Sequence, residues 1–135
     1  MTGTTEANRM LEMARKDLRA LGGKMEAKVF GYEIFGFHAQ QAVEKAMKAW
    51  LARRDFAYPH THDLSVLLDL LEENGEDCRD YSDLIGYSSF AVQYRYEPYQ
   101  AAEEIYDRSS ILARVTELIA HVERLINESS HASGH

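Results

Sequence analysis

Apolar residues in this chain recur three and four positions apart, and nowhere do they alternate with polar ones long enough to make a strand. Leu11, Ala14, Leu18 and Leu21 form one such stripe, closed by Gly22-Gly23, so the spacing predicts a helix over about Thr5 to Leu21. A longer and more apolar stretch, about Glu26 to Arg54, carries Ile34, Phe35, Ala39, Ala42, Ala46, Ala49 and Trp50 at helical spacings. Gly31 and Gly36 weaken it by about 1 kcal/mol each relative to Ala. Either it starts later than Glu26, or a neighbour packs closely there. Leu64, Leu67, Leu68 and Leu71 stripe a third helix, with Thr61 as its expected cap, Asp63 in its first turn where the dipole favours a carboxylate, and Asn74-Gly75 at its end.

A fourth helix is expected over about Cys78 to Tyr94, with Leu84, Tyr87, Ala91 and Tyr94 on one side. A fifth, about Gln100 to Asn127, is striped by Ile105, Leu112, Val115, Ile119, Val122 and Ile126. Both prolines, Pro59 and Pro98, fall between these segments, as residues that cannot sit inside a helix should. The expected fold is all-α: an antiparallel up-and-down bundle of four to five helices in a single domain over residues 1–127, with residues 128–135 as a small, polar, flexible tail.

Several function classes fall away. The single Cys78 cannot form an internal disulfide, and 135 residues bury enough surface to fold without one or without a structural metal. No run approaches the roughly 20 apolar residues of a membrane span, and Met1 to Asn8 lack the basic and apolar regions of a signal peptide, so a cytoplasmic protein without membrane association is expected. There is no glycine-rich phosphate loop, which excludes a simple ATPase or dehydrogenase. The net charge of −7 hides an asymmetry. Residues 1–54 carry ten Lys/Arg against six Asp/Glu, and residues 55–135 carry five against sixteen. Overall acidity opposes nucleic-acid binding, but a locally basic face would still hold a phosphate or a short RNA.

Three places carry more polar chemistry than a bundle requires. On the second helix, Gln41, Glu44, Lys45 and Lys48 project from neighbouring rows; spacing alone favours the plainer account, a surface i, i+4 pair of Glu44 with Lys48 and solvated glutamines. Pro59-His60-Thr61-His62-Asp63-Leu64 opens a helix, where free N–H groups and a His suit an anion. The alternative is a simple cap, and two imidazoles are too few for zinc. In Tyr94-Arg95-Tyr96-Glu97-Pro98-Tyr99, Arg95 among tyrosines suits a phosphate or a stacked base, or equally an ion pair with Glu97 amid packed rings. Glu117 and His121 are a poor metal pair without a second Glu-x-x-His, and Cys78 has no His neighbour to activate it.

The pattern aromatic-x-Ala-Gln-Gln-Ala-x-Glu-Lys-x-x-Lys-x-x-Leu at Phe37 to Leu51, the Thr-His-Asp-Leu start at Thr61 to Leu64, and the Arg95-Tyr96 pair together resemble the HEPN domain family (higher eukaryotes and prokaryotes nucleotide-binding). The resemblance implies a compact helical bundle, commonly a homodimer, often paired with a minimal nucleotidyltransferase in a toxin-antitoxin arrangement. Some members are ribonucleases with an Arg-x4-6-His motif. Here positions 100 to 102 after Arg95 are Gln100, Ala101 and Ala102, and the matching positions after Arg108 are Ala113, Arg114 and Val115, so the His that RNA cleavage needs is missing from both.

The resulting expectation is a non-catalytic HEPN protein that binds a nucleotide or phosphate ligand, or partners a nucleotidyltransferase, without cofactor or metal. Gln41, Lys45, Lys48, His62, Arg95 and Tyr96 would line its groove, with Lys and Arg on phosphate and Tyr96 near a base. The competing expectations are a ribonuclease with a degenerate site using Arg95 with Tyr96 or Glu97, and a purely structural dimer.

Overall fold

The structure, a computed structural model, describes residues 2–23, 31–85 and 108–133. Among these there are four α-helices, α1 (Thr2–Gly23), α2 (Gly31–Ala52), α3 (Leu64–Glu73) and α4 (Arg108–Ser133), with a 3-10 helix at Arg79–Ile85 between the last two. The fold is an all-α bundle, with no strand among the described residues.

Cross-helix bonds set the directions. Asp17, late in α1, meets His38, early in α2, at 3.1 Å, while Glu6, early in α1, takes a hydrogen bond from Tyr58, just beyond α2, at 2.7 Å. The two helices therefore run antiparallel. Arg15 ties α1 to α4 through Glu123 at 2.8 Å.

The alanine-rich second helix became the centre. α2 packs against α1, α3 and α4, so Ala39, Ala42, Val43, Ala46, Met47, Ala49, Trp50 and Leu51 are all buried. A helix enclosed on three sides keeps almost no solvent face. Its polar residues go inside with the rest, which decides the character of the site below. The helix passes through Gly36, itself buried; residues 24–30, where an earlier start was expected, lie outside the described residues.

Both α2 and α3 end in the same way. Phe56 N–H donates to Leu51 O at 3.1 Å and Asp55 N–H to Ala52 O at 2.9 Å. Glu76 N–H donates to Leu71 O at 2.9 Å and Gly75 N–H to Glu72 O at 3.0 Å. These are Schellman caps, which need one residue in the left-handed region. Gly75 takes it at φ 80, as the sequence suggests, and Asp55 takes it at φ 60.

The start of α3 differs from expectation. Asp63 is its N-cap, accepting from Ser65 N–H at 3.0 Å, whereas Thr61 accepts from Asp63 N–H at 3.0 Å one step upstream. Asp63 directly precedes Leu64, the first helical residue, so its carboxylate reaches the free N–H of Ser65, and Thr61 braces the cap instead of being it.

The expected fourth helix begins as the 3-10 segment, with Tyr81 and Leu84 buried. Asp80, Ser82 and Asp83 in that stretch are residues whose side chains compete for backbone groups and disfavour a regular α-helix. Its remainder, with Tyr87, Ala91 and Tyr94, lies outside the described residues. In α4, Val115, Ile119, Val122 and Ile126 are buried as the stripe predicts, joined by Ile111 and Leu118, whereas Leu112 is half-buried and Ile105 lies outside the described residues. The helix continues to Ser133, past the Asn127 where apolar periodicity stops.

Candidate functional site

Glu44 lies at the centre of a cluster drawn from α2 and from the segment that leads into α3. Its carboxylate is fully buried. Oε1 accepts from His62 Nδ1 at 2.8 Å and from Gln40 Nε2 at 3.3 Å; Oε2 accepts from Lys48 Nζ at 2.9 Å and Lys45 Nζ at 3.4 Å. Lys45 also donates to Gln41 Oε1 at 2.9 Å, and Gln41 Nε2 donates to Gln40 Oε1 at 3.1 Å. Gln40 Nε2 donates in addition to the main-chain oxygen of His62 at 2.8 Å.

The surface pair expected from the i, i+4 spacing of Glu44 and Lys48 is therefore corrected. Both residues are buried, Lys48 at 7 % exposure, and Gln40 at 6 % is buried too instead of solvated. The reason is the enclosure of α2: an ion pair that would be worth a few tenths of a kcal/mol in water becomes obligatory when neither partner can reach solvent. Burial pushes the Glu44 carboxyl up, but hydrogen bonds from His62 and Lys48 and the charges of Lys45 and Lys48 outweigh it, leaving the group below the ordinary carboxylate range. Glu44 is thus ionised.

Accessibility within the cluster is unequal. The side chains of Lys48 and Lys45 are 9 % and 14 % exposed, whereas that of His62 is 80 % exposed. A ligand from solvent meets His62 first and Lys45 at its side, with Lys48 behind them holding the carboxylate. Tyr58 supports the far side: its ring lies 5.8 Å from the Lys48 ammonium, and its hydroxyl donates to Glu6 on α1.

Of the six residues expected to line a groove, Gln41, Lys45, Lys48 and His62 are brought together. Arg95 and Tyr96 lie outside the described residues, as do Glu97, Pro98 and Tyr99. Gln40 and Glu44 are the members missing from the expected groove, since spacing alone favours Glu44 as half of a surface pair and the glutamines as solvated. The signal for them was the apolar set Ala39, Ala42, Val43, Ala46, Met47, Ala49 and Trp50, which runs round so much of α2 that little of the helix is left to face water.

The other candidates have structural partners. Cys78 is buried with its thiol directed at Leu68 O at 3.9 Å, and burial raises its pKa, which disfavours a nucleophile. Glu117 accepts from Arg114 at 2.6 Å, and no group of three or more His, Cys, Asp or Glu able to hold a metal is present among the described residues.

Arg114 and His121, seven positions apart on α4, do satisfy the Arg-x4-6-His spacing that Arg95 and Arg108 miss. The geometry gives them different work. Arg114 is bonded to both carboxylate oxygens of Asp83, at 3.1 and 2.8 Å, and to Glu117, pinning the 3-10 helix to α4. The His121 ring packs edge-on to Trp50 at 5.0 Å and lies 5.3 Å from Tyr81. Burial first, then Arg124 and Arg53, hold its pKa below the ordinary value.

Fold and cluster together define a class: a helical-bundle domain whose central helix carries a buried, carboxylate-centred polar network reaching the surface at one histidine. A family model described as HEPN domain matches residues 7–130. The chain belongs to the HEPN domain family. No curated protein and no solved structure matches it. No helix among the described residues is long and apolar enough to cross a membrane.

Proposed function

We propose that this chain is a non-catalytic HEPN-domain protein that binds a nucleotide or other phosphate-bearing ligand at the Glu44 cluster, and that it works as a cytoplasmic homodimer or as the partner subunit of a minimal nucleotidyltransferase. One observation carries the reading: Lys45, Lys48 and His62, from segments separated in sequence, converge on a single buried carboxylate. Two ammonium groups against one carboxylate leave a local positive excess in an otherwise acidic protein. A phosphate offers the charge that this excess lacks. The same reading assigns phosphate contact to Arg95 and base contact to Tyr96, as the family resemblance implies.

Calorimetric titration with AMP and with inorganic phosphate tests this. Saturable binding that weakens about tenfold in Lys45→Ala and in Arg95→Ala is expected, the loss of one charge-assisted contact each. Binding unchanged in both variants would remove the site. The enzymatic alternative is decided by incubating RNA with the wild type and with Arg95→Ala and His121→Ala; equal background cleavage by all three leaves no ribonuclease to explain.

A further inference from the structure

His62 is held at two points by α2, its Nδ1 by Glu44 at 2.8 Å and its main-chain oxygen by Gln40 at 2.8 Å, while its side chain stays 80 % exposed. The next residue, Asp63, is fixed as the α3 cap. An exposed side chain ordinarily samples several rotamers; this one is anchored at its buried end with its other nitrogen outward.

The anchor also chooses the proton position. Glu44, ionised, is an acceptor only, so the hydrogen between it and His62 belongs to Nδ1. In a neutral imidazole the remaining nitrogen, Nε2, is then a bare acceptor. Every other outward-reaching group of the cluster is a donor or already engaged. Lys45 and Lys48 have only N–H groups; the Gln41 oxygen is taken by Lys45 and the Gln40 oxygen by Gln41. The phosphate group of an ester, as its dianion, is all acceptors and has nothing to offer Nε2. A ligand that also carries a hydroxyl does.

We infer that Glu44 and His62 form a proton-accepting pair whose Nε2 takes a hydrogen bond from a hydroxyl of the ligand, so that the site selects phosphate esters that carry a free hydroxyl. The inference rests on the phosphate-binding reading above and adds to it the part of the ligand that is recognised besides the anion.

Two measurements test it. Nitrogen-15 NMR of His62 in the free protein, in alkaline buffer, should show hydrogen on Nδ1 and none on Nε2, whatever the ligand. Titration should show AMP binding up to about tenfold more tightly than its analogue lacking both ribose hydroxyls, the worth of one hydrogen bond. His62→Asn keeps an N–H donor for Glu44 and deletes Nε2. It should weaken AMP more than the analogue and so erase the difference between the two. A purely structural histidine would weaken both ligands alike, which overturns the proposal. Equal binding of AMP and the analogue to the wild type overturns it while phosphate binding stands. Binding of neither overturns both readings, and a hydrogen on Nε2 overturns the proposal whichever ligand binds.

Discussion

Glu44 on α2 and His62, just ahead of α3, meet at 2.8 Å with one side chain fully buried and the other largely in solvent. The contact joins the interior of the bundle to its surface through a single hydrogen bond. Because Lys45 and Lys48 share the same carboxylate, disturbing Glu44 disturbs the whole cluster.

Glu44→Ala leaves the buried Lys48 ammonium without its counter-charge. A loss of about 3–5 kcal/mol in unfolding free energy is expected, as for other buried pairs broken from one side. Urea denaturation reads it directly. A loss below about 1 kcal/mol would mean that Lys48 has another way out of the interior.

Acid should destabilise the protein through several carboxylates at once. Glu44 and Glu76 are lowered despite burial, Glu76 by hydrogen bonds from Trp50 and Arg53; Glu6 is lowered by Arg9 and then Tyr58. A group lowered in the folded state contributes stability that is complete above the ordinary carboxylate range near about pH 4 and is lost as pH falls through the folded value. Thermal melts should therefore hold steady near neutrality and fall steeply below about pH 4. Glu76→Gln should flatten that fall; an unchanged slope would remove Glu76 from the account.

Tyr58 behaves in the opposite sense. Burial, and then the hydrogen bond to Glu6, push its phenol up to about 12. Its contribution is complete below the ordinary tyrosine value near about pH 10 and is lost as pH rises towards the folded value. Tyr58→Phe should cost about 1–2 kcal/mol, the worth of a hydrogen bond to a charged group. Its tyrosinate absorbance titration should lose a late-titrating component. If every tyrosine of the wild type titrates near the ordinary value, the Glu6 bond is absent in solution.

The two Schellman caps offer a matched pair of substitutions. Asp55 occupies the left-handed region with a side chain, which strains an L-residue. Asp55→Gly should stabilise by about 0.5–1 kcal/mol. Gly75→Ala should destabilise by about 1–2 kcal/mol; a Cβ there meets nothing within 4 Å, so the backbone angle alone sets the cost. Equal and negligible shifts in melting temperature for both would show that these turns do not hold their φ values in solution.

Much of the fold was legible in the sequence because helical periodicity is a local property. The stripes of α1, α3 and α4 predict which leucines, isoleucines and valines are buried, and Asn74-Gly75 marks the end of α3 where the chain turns. The boundaries that shifted did so for local reasons that pattern alone resolves poorly. Asp63 took the cap from Thr61, and the Asp/Ser-rich stretch after Cys78 opened as a 3-10 turn.

What periodicity could not reveal was the environment of the polar residues on α2. Glu44 and Lys48 at i, i+4 look the same in sequence whether they face water or a neighbouring helix. Their spacing, together with the Thr61-His62-Asp63-Leu64 motif, determined that a Glu, two Lys and a His were present. Only the packing of α1, α3 and α4 around α2 decided that the carboxylate would be buried, that both ammonium groups would close on it, and that His62 would be the member most open to solvent. The physical reason is that burial is set by long-range contacts. The strength and role of a charge follow from its burial, not from its place in the chain.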